Sequence, residues 1–314
     1  MSTLILDRRN ISLEYDNQCL VVRQPEQTPR TVPLKHLNKI VCLHSVQITT
    51  SLLGQLWKRK IDFVNLNNRH ADCSFGLYPN RQQQVRRRCQ QYAWQQDQST
   101  ALPLARTLCS HRLRNNLRLL PDNGELTLRE YLHTAVSRLA EATSLQEMLG
   151  IEGAAQRQMF AHWREQLPTK LGFNQRQRRP PKDPVNSLLS LTSSLVLQEA
   201  IRQCTAAGLD PDLGFYHRIA SGRPSLACDL MEPLRPFFEH WVMHLFIDGK
   251  FDCRHFTGQN SAQAPCYLGK AGREAFYPLF HQASTAWQRQ LKATARWTCQ
   301  HLDSEQGTAL DSAA

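Results

Sequence analysis

The sequence predicts an α+β protein in which a small, N-terminal, β-rich domain precedes a larger and mostly α-helical domain. Short apolar segments separated by turn residues fill the first 80 positions, a pattern that is typical of strands. Longer segments with helix-capping residues follow, and a chain of 314 residues is long enough for two domains. We therefore expect domains at 1–80 and 81–302, followed by a small, polar and flexible tail at 303–314.

The N-terminal domain is predicted to contain a hairpin. Its two strands are 11–15 and 19–23, and the intervening Asp16, Asn17 and Gln18 favour a tight turn. Further strands are expected at 31–34, 39–43, 61–64 and 73–77, together with one short helix within 49–60. These elements together make a small β domain.

Beyond residue 80 the pattern becomes helical and basic. Helices are expected at 82–96 and 105–120, and two more from the capping-box patterns at 127–130 and 144–147. Asp183 can cap a further helix in which Pro184 takes the first position, where no N–H donor is needed. This helix should end at residue 206 or 207, just before Gly208.

The charge of the chain is strongly positive. Lys and Arg number 38 against 27 Asp and Glu, which gives a formal net charge of +11 and a pI of about 9.4. Such an excess favours a polyanionic partner, most commonly nucleic acid, although a basic surface without such a partner is the alternative. The arginines that we expect to contact DNA phosphates are Arg86, Arg87, Arg88, Arg112, Arg114, Arg176, Arg178 and Arg179. The alternative for each is a solvated helix face.

The cysteines and the apolar segments indicate a cytoplasmic protein that does not enter a membrane. Ten cysteines are scattered along the chain, and no two have the spacing of a zinc knuckle. The N-terminal residues do not resemble a signal peptide, and no uninterrupted apolar stretch is long enough to span a bilayer. Unpaired cysteines are expected in a reducing cytosol.

Three segments carry side chains suited to chemistry. Glu152 lies between Gly150 and Gly153 at a predicted helix start, where small neighbours would let a backbone or a substrate approach closely. His217 follows an aromatic pair and precedes a turn that contains Arg223. Taken singly, an ordinary surface Glu and a packed or exposed His are the simpler interpretations.

The third segment is a short helix that carries two carboxylates. Asp229 and Glu232 are three residues apart, which places them on one face, while Leu226, Leu230 and Leu234 repeat on another. A carboxylate beside an apolar helix face is costly unless it is paired or bound to a metal. The alternative is that these charges complement the helix dipole.

In this order, the segments resemble the family of CRISPR-associated adaptation integrases, the DNA endonucleases that insert new spacers (the Cas one family). The family pattern is Gly-Ile-Glu-Gly-x-Ala, then Asp-Pro-Val-Asn, then His after an aromatic residue, then Gly-Arg-x-Ser-Leu-x-x-Asp-Leu-Met-Glu. The matching segments here are 150–155, 183–186, 216–217 and 222–232. The resemblance covers most of the chain, to about residue 285.

The resemblance implies a metal-dependent enzyme. Glu152, His217 and Asp229 would hold Mg²⁺ or Mn²⁺, and Glu232 would be a supporting or alternative ligand. The 3′-hydroxyl of an incoming DNA fragment would attack a phosphodiester of a repeat array, and Arg223 could contact the reacting phosphate. The expected partners are double-stranded DNA, a second copy of the chain through the β domain, and a small adaptation protein (Cas two) that bridges two dimers.

Other interpretations use the same residues. A stand-alone metal-dependent nuclease that acts on branched DNA or repair intermediates is the main alternative, and a catalytically silent DNA-binding scaffold is another. His240 and His244 share a helix face and form a possible second metal site, although no third ligand is evident nearby. Cleavage and joining assays with and without the bridging partner distinguish these functions.

Overall fold

The computed structural model describes residues 2–67, 73–79, 85–121, 126–178, 180–258 and 264–304. The chain divides into two compact units. The first comprises residues 1–83 with Thr205–Gly208, and the second comprises the remaining residues. The first unit contains most of the strands and the second is mostly helical, so the predicted α+β class is confirmed.

Two four-stranded sheets and one α-helix are found among the described residues at the N-terminal end of the chain. The strands are β1 (Ser2–Leu6), β2 (Ile11–Asp16), β3 (Cys19–Arg23), β4 (Arg30–Pro33), β5 (Leu37–Cys42), β6 (Val46–Ile48), β7 (Asp62–Asn65) and β8 (Phe75–Leu77), and the helix is α1 (Thr50–Lys58). The sheet orders are β1-β5-β7-β8 and β4-β3-β2-β6. Asn17 and Gln18 have φ values of 45° and 64°, and Asp16 pairs with Cys19, so the predicted hairpin is present. Alternate side chains of these strands pack with Leu52 and Leu56 in one core.

Eight α-helices and a two-stranded antiparallel sheet are found among the described residues of the second unit. They are α2 (Val85–Gln96), α3 (Gln98–Leu119), α4 (Leu126–Glu141), α5 (Leu145–Gln166), α6 (Pro184–Ala206), α7 (Ser225–Met231), α8 (Arg235–Ile247), α9 (Lys270–Ser304), β9 (Phe256–Thr257) and β10 (Tyr267–Leu268). Helix α3 contacts α4, α5, α7 and α8. It therefore lies among the helices that carry the predicted site residues.

Several helix ends agree with their predicted caps. The Ser144 hydroxyl accepts a hydrogen bond from the Glu147 N–H at 3.2 Å, which begins α5. Asp183 accepts from the Asn186 N–H at 2.8 Å and begins α6, with Pro184 in the first position. Gly208, at φ 76°, follows the end of α6. Proline and capping side chains act locally, so their effect is readable from the sequence.

Other boundaries differ from the prediction. Helix α3 begins at Gln98 rather than 105, because Asp97 caps it and the helix continues through Pro103. Thr127 lies within α4 rather than at its cap. Helix α9 includes Asp303 and extends to Ser304, and the rest of the predicted tail lies outside the described residues. In the described part of the chain, no helix combines the length and the apolar character that crossing a bilayer requires.

Candidate metal centre

The Asp229 carboxylate organises the segment that carries His217. Asp229 is fully buried on α7. One of its oxygens, Oδ2, accepts hydrogen bonds from the N–H groups of Phe215 at 2.6 Å and Tyr216 at 2.9 Å. The other, Oδ1, accepts from the His217 N–H at 2.9 Å and lies 2.7 Å from His217 Nδ1. Four donors therefore occupy this carboxylate, which has about four acceptor sites.

Gly214 allows the chain to pass this close to Asp229. A Cβ atom at residue 214 would lie 2.8 Å from Asp229 Oδ2 and 2.8 Å from the backbone carbon of Ser225. Both distances are far below van der Waals contact, so a larger residue would force a shift of α7 or of the loop. The glycine is thus a steric requirement for the hydrogen bonds that Asp229 receives.

The contact with Asp229 fixes the tautomer of the neutral His217 ring. A carboxylate accepts only, so the proton of the neutral imidazole is placed on Nδ1 and a lone pair is left on Nε2. His217 Nε2 lies 4.0 Å from Glu232 Oε1, and the side chain is 22% exposed. An imidazole held by a carboxylate through one nitrogen, with the other nitrogen free, is the usual arrangement of a histidine metal ligand.

Glu232, directly after α7, is a buried and strongly paired carboxylate. Its Oε1 accepts from Arg235 Nη2 at 3.0 Å, and its Oε2 accepts from Arg112 Nη1. Burial raises the pKa of Glu232, but the charges of Arg112 and Arg235, aided by His217, outweigh this and lower it to about 2. Glu232 is therefore an anion at neutral pH.

Glu152 faces the same arginine from α5. Its Oε1 lies 2.5 Å from Arg112 Nη1, and its side chain is 13% exposed. The sequence predicted Glu152 at a helix start, but it lies inside α5, in the third turn. A Cβ at Gly150 would meet no atom within 4 Å, so the helix surface beside Glu152 is open.

Arg112 was predicted to contact DNA, and the structure corrects this. Its side chain is only 6% exposed, and it ion-pairs with both Glu152 and Glu232 while donating to Gln156 Oε1 at 2.8 Å. Burial lowers the pKa of Arg112, but the two carboxylates outweigh this and raise it above its ordinary value. Arg112 is thus an internal cation of the site, because an arginine turned out to solvent would leave Glu152 without this ion pair and Glu232 with Arg235 alone.

We refer to Glu152, His217, Asp229 and Glu232 as the carboxylate–histidine cluster. The contacts described above connect all four residues, from Asp229 to His217, from His217 to Glu232, and from Glu232 through Arg112 to Glu152. Among the described residues, no three His, Cys, Asp or Glu side chains already surround one point as metal ligands. The guanidinium between Glu152 and Glu232 nevertheless shows that both carboxylates face a position where positive charge is stabilised.

The remaining DNA-contact candidates have different surroundings. Arg86 and Arg114 are exposed, Arg87 pairs with Asp303 at 2.7 Å, and Arg223 bonds to the Arg218 carbonyl within its own turn. Arg88 is half-buried, Arg176 and Arg178 lie in the loop before α6, and Arg179 lies outside the described residues. Arg223 therefore has a structural partner within its own turn.

The His240 and His244 rings are neighbours on α8, with centroids 4.3 Å apart. Burial lowers the pKa of His240 to about 4, and His244 Nδ1 lies 3.5 Å from Asp248 Oδ1. No metal-binding group of three is formed there within the described ranges.

Sequence reasoning missed the polar residues that support the cluster. Gln156, one helical turn after Glu152, donates to Glu239 Oε2 at 2.9 Å, and Arg235 pairs with Glu232. Arg235 lies 3.9 Å from Glu239 through its Nη1. The signal was present, because Glu232, Arg235 and Glu239 have the three- and four-residue spacing of ion pairs on one helix face.

Known proteins resemble this chain over nearly its whole length. The family model described as "CRISPR associated protein Cas1" matches residues 4–282. "CRISPR-associated endonuclease Cas1 1" of Thermodesulfovibrio yellowstonii is 31% identical over 322 residues, which cover 96% of this chain and 99% of that protein.

Solved structures share the fold. A casposase bound to integration product superimposes with a TM-score of 0.83 at 20% identity, covering 97% of this chain and 91% of that one. A chain of a Cas6-RT-Cas1–Cas2 complex gives a TM-score of 0.81 at 21% identity and covers 97% of this chain and 35% of that chain. The family match includes every residue of the carboxylate–histidine cluster. The chain therefore belongs to the Cas1 family of CRISPR-associated proteins.

Proposed function

We propose that Glu152, His217 and Glu232 hold a divalent metal ion and that Asp229 orients His217. As a Cas1-family protein, the chain is a metal-dependent DNA endonuclease and integrase of CRISPR adaptation. The observation that supports our ligand assignment is the hydrogen bond of His217 Nδ1 to Asp229, with Nε2 turned toward Glu232. The sequence suggested Asp229 as a metal ligand and Glu232 as a supporting or alternative ligand. Our assignment makes Glu232 the ligand and Asp229 the supporting residue.

The surroundings of the two carboxylates support the exchange. Asp229 already accepts four hydrogen bonds and has no acceptor site left. Glu232 Oε1 is 4.0 Å from His217 Nε2, and two ligands of one small cation lie roughly 3 Å apart, so a modest approach would bring both into coordination. Glu152 supplies the third ligand from α5.

The donor set of two carboxylates and one imidazole suits Mn²⁺ or Mg²⁺, and the imidazole favours Mn²⁺. When bound, such a metal stabilises the negative charge that develops on phosphate and leaving-group oxygens. In strand joining, a bond forms between the attacking 3′-oxygen and phosphorus while the bond from phosphorus to its leaving oxygen breaks. The attacking hydroxyl releases its proton to water, and the departing oxygen takes up a proton from water. Arg112 pairs with Glu152 and Glu232 and keeps both carboxylates in place throughout.

Charge and family relationships support the proposed partners. A net charge of +11 favours DNA, and a solved relative is bound to an integration product. We propose double-stranded DNA as substrate, a homodimer formed through the β domain, and a Cas2-type bridging protein, which a structural relative contains as part of its complex. We place the protein in the cytoplasm, where its ten free cysteines remain reduced.

The test compares Glu152→Gln, His217→Ala and Glu232→Gln with the unaltered protein in two assays. All three variants should lose joining of a short duplex to a plasmid that carries a repeat array. They should also lose the rise in melting temperature that Mn²⁺ produces, since ligand binding to the folded state stabilises it.

Two outcomes contradict the proposal. Full strand joining by Glu152→Gln would exclude the metal centre. Joining that is equally efficient on plasmids without a repeat array, and independent of a Cas2-type partner, would favour the stand-alone nuclease instead. Arg254→Gln is the control, because Arg254 is fully exposed and pairs only with the nearby Asp252 among the described residues.

A further inference from the structure

Gln91 of α2 is a glutamine that binds the segment leading to His217. Its side chain is fully buried. Its Oε1 accepts from the Asp210 N–H at 2.9 Å, and its Nε2 donates to the carbonyl oxygens of Asp210 at 2.9 Å and Leu213 at 2.8 Å. Both donor hydrogens of the carboxamide and one of its acceptor positions are therefore bound to the 210–213 backbone.

A second side chain on the same face of α2 packs against the next part of this loop. Trp94 is buried three residues after Gln91, and its ring lies edge-on to the Phe215 ring, with centroids 6.5 Å apart. An edge-to-face pair of aromatic rings favours one relative orientation as well as burial. Helix α2 therefore contacts the loop both before and after Gly214.

The first turn of α7 binds the same loop. The Pro211 carbonyl accepts from the N–H groups of Leu226 at 2.9 Å and Ala227 at 3.3 Å. The N–H groups in the first turn of a helix lack partners within the helix, so this carbonyl satisfies two of them. The loop is therefore hydrogen-bonded to α2 before Gly214, and to α7 both before and after it.

The close approach at Gly214 leaves little freedom for the path of the chain. Gly214 directly follows Leu213, which Gln91 binds, and a Cβ at residue 214 would lie 2.8 Å from Asp229 Oδ2. A displaced Leu213 would displace Gly214, and with it the three N–H groups and the His217 ring that Asp229 holds. Gln91 thus acts on His217 through the backbone.

We propose that Gln91 is a positioning residue for the metal ligand His217, and that it acts by fixing the 210–213 segment. This inference rests on the proposed function, because it requires a metal at His217 Nε2. Groups that only support a ligand commonly change metal affinity by roughly 10- to 100-fold, since the ligand nitrogen has to point in one direction. Asp229 supports the ring directly, and Gln91 supports the backbone that brings the ring to Asp229.

The first experiment follows the loop in metal-free protein. Hydrogen exchange of the amides of residues 215–217 is measured in the presence of a chelator. Gln91→Met keeps a side chain of similar length but loses the amide that forms the three hydrogen bonds. Exchange of these amides should become faster by about 10-fold, because local opening is easier when hydrogen bonds of a buried group are lost.

Gln203→Met is the matched control. Gln203 is another buried glutamine, and its Nε2 donates to Glu199 Oε1 at 2.6 Å within α6. Its replacement removes a bond inside α6 and not the bonds that hold the loop, so the amides of residues 215–217 should exchange as in the unaltered protein. Gln91→Asn, whose amide is carried on a shorter side chain, should give an intermediate rate and replaces Gln91→Met if that variant does not fold.

The second experiment measures Mn²⁺ binding by calorimetry and strand joining at saturating DNA. Gln91→Met should bind Mn²⁺ about 10-fold more weakly, the lower end of the effect of a supporting residue, and Gln203→Met should bind it normally. Strand joining by Gln91→Met should be slow at limiting Mn²⁺ and should recover at saturating Mn²⁺. This recovery is expected because Gln91 is buried and contacts neither metal nor DNA in this proposal.

Three results overturn the inference. The first is a Gln91→Met protein with unchanged exchange at residues 215–217. The second is faster exchange with unchanged Mn²⁺ affinity, since the loop would then be held without effect on the ligand. The third is an equal loss of affinity in Gln203→Met, which would show a general loss of stability. If Glu152→Gln joins strands normally, the proposed metal centre fails, whereas faster exchange in Gln91→Met would still show that Gln91 fixes the loop.

Discussion

At the scale of single residues, Asp229 and Glu232 show how two carboxylates on one short segment acquire different roles. Asp229 receives three backbone N–H groups and the His217 ring, whereas Glu232 receives two guanidinium groups and faces His217 Nε2. The first arrangement fixes a loop, and the second leaves a carboxylate beside a free imidazole nitrogen. A change at Asp229 should therefore act on the metal only through His217.

We expect Asp229→Asn to weaken Mn²⁺ binding by roughly 10- to 100-fold, the usual effect of losing a residue that orients a ligand. Glu232→Gln should abolish the binding. An amide nitrogen cannot accept the N–H groups that Asp229 Oδ2 now accepts, so Asp229→Asn should also lower the melting temperature. Melting curves over a series of Mn²⁺ concentrations give both quantities. Stronger metal binding by Glu232→Gln than by Asp229→Asn would return Asp229 to the ligand set.

Gly214 gives a steric prediction at the same scale. Gly214→Ala should destabilise the protein by roughly 1–3 kcal/mol, because the added methyl group collides with Asp229 and with the backbone of Ser225. Gly150→Ala is the matched control in an open helical position, and should instead stabilise by roughly 0.5–1 kcal/mol. Urea denaturation of both variants measures the difference, and equal effects would contradict the close approach at residue 214.

The sequence singled out the four residues of the proposed site but could not rank the two carboxylates of α7 and its C-terminus as ligand or supporting residue. Glu152, His217, Asp229 and Glu232 all belong to matching motifs, and the structure connects them. Which carboxylate receives the backbone N–H groups depends on how the 214–217 loop packs on α7. That contact joins segments distant in sequence, so spacing alone could not rank Asp229 against Glu232. The burial of Arg112 follows from the same long-range packing.

At the scale of secondary-structure elements, local signals were predictable and non-local pairings were not. The hairpin turn at Asn17 and the caps at Ser144 and Asp183 act over a few residues, and the structure confirms all three. Strands β1 and β6 were missed because each pairs in parallel with a partner distant in sequence. Helix α3 begins at Gln98, before the predicted start at 105, and continues through Pro103 while it packs against five other helices.

Helix α2 carries a prediction about DNA contact. Arg87 is held by two hydrogen bonds to Asp303, whereas Arg86 is exposed on the neighbouring face. Arg86→Gln should lower the slope of log affinity against log salt by roughly 0.9, the effect of one phosphate contact. Arg87→Gln should change the slope less, because Asp303 already neutralises its charge. Fluorescence anisotropy at several salt concentrations tests this, and the reverse order would show that DNA displaces Asp303.

At the scale of the whole molecule, the second unit contains several ionised groups in its interior, and their effects on stability depend on pH in opposite directions. Arg112 and Arg235 lower the pKa of Glu232, against the effect of burial, to about 2. Burial raises the pKa of Glu239, and the nearby arginines offset this only in part. Deprotonated Glu232 therefore favours the folded state, whereas protonation of Glu239 favours it at low pH.

The free energy of unfolding at acid pH should reveal the opposite effects of Glu232 and Glu239. Because the pKa of Glu232 falls from 4.5 to about 2 on folding, its contribution is complete above pH 4.5 and is lost as the pH falls toward 2. The contribution amounts to roughly 3 kcal/mol. We therefore expect acidification to lower the free energy of unfolding less steeply in Glu232→Gln than in the unaltered protein, and more steeply in Glu239→Gln. Urea denaturation in the presence of a chelator measures both slopes. Slopes that change in the same direction in both variants would contradict the opposite pKa shifts, since only one of these carboxylates is stabilised as an anion by folding.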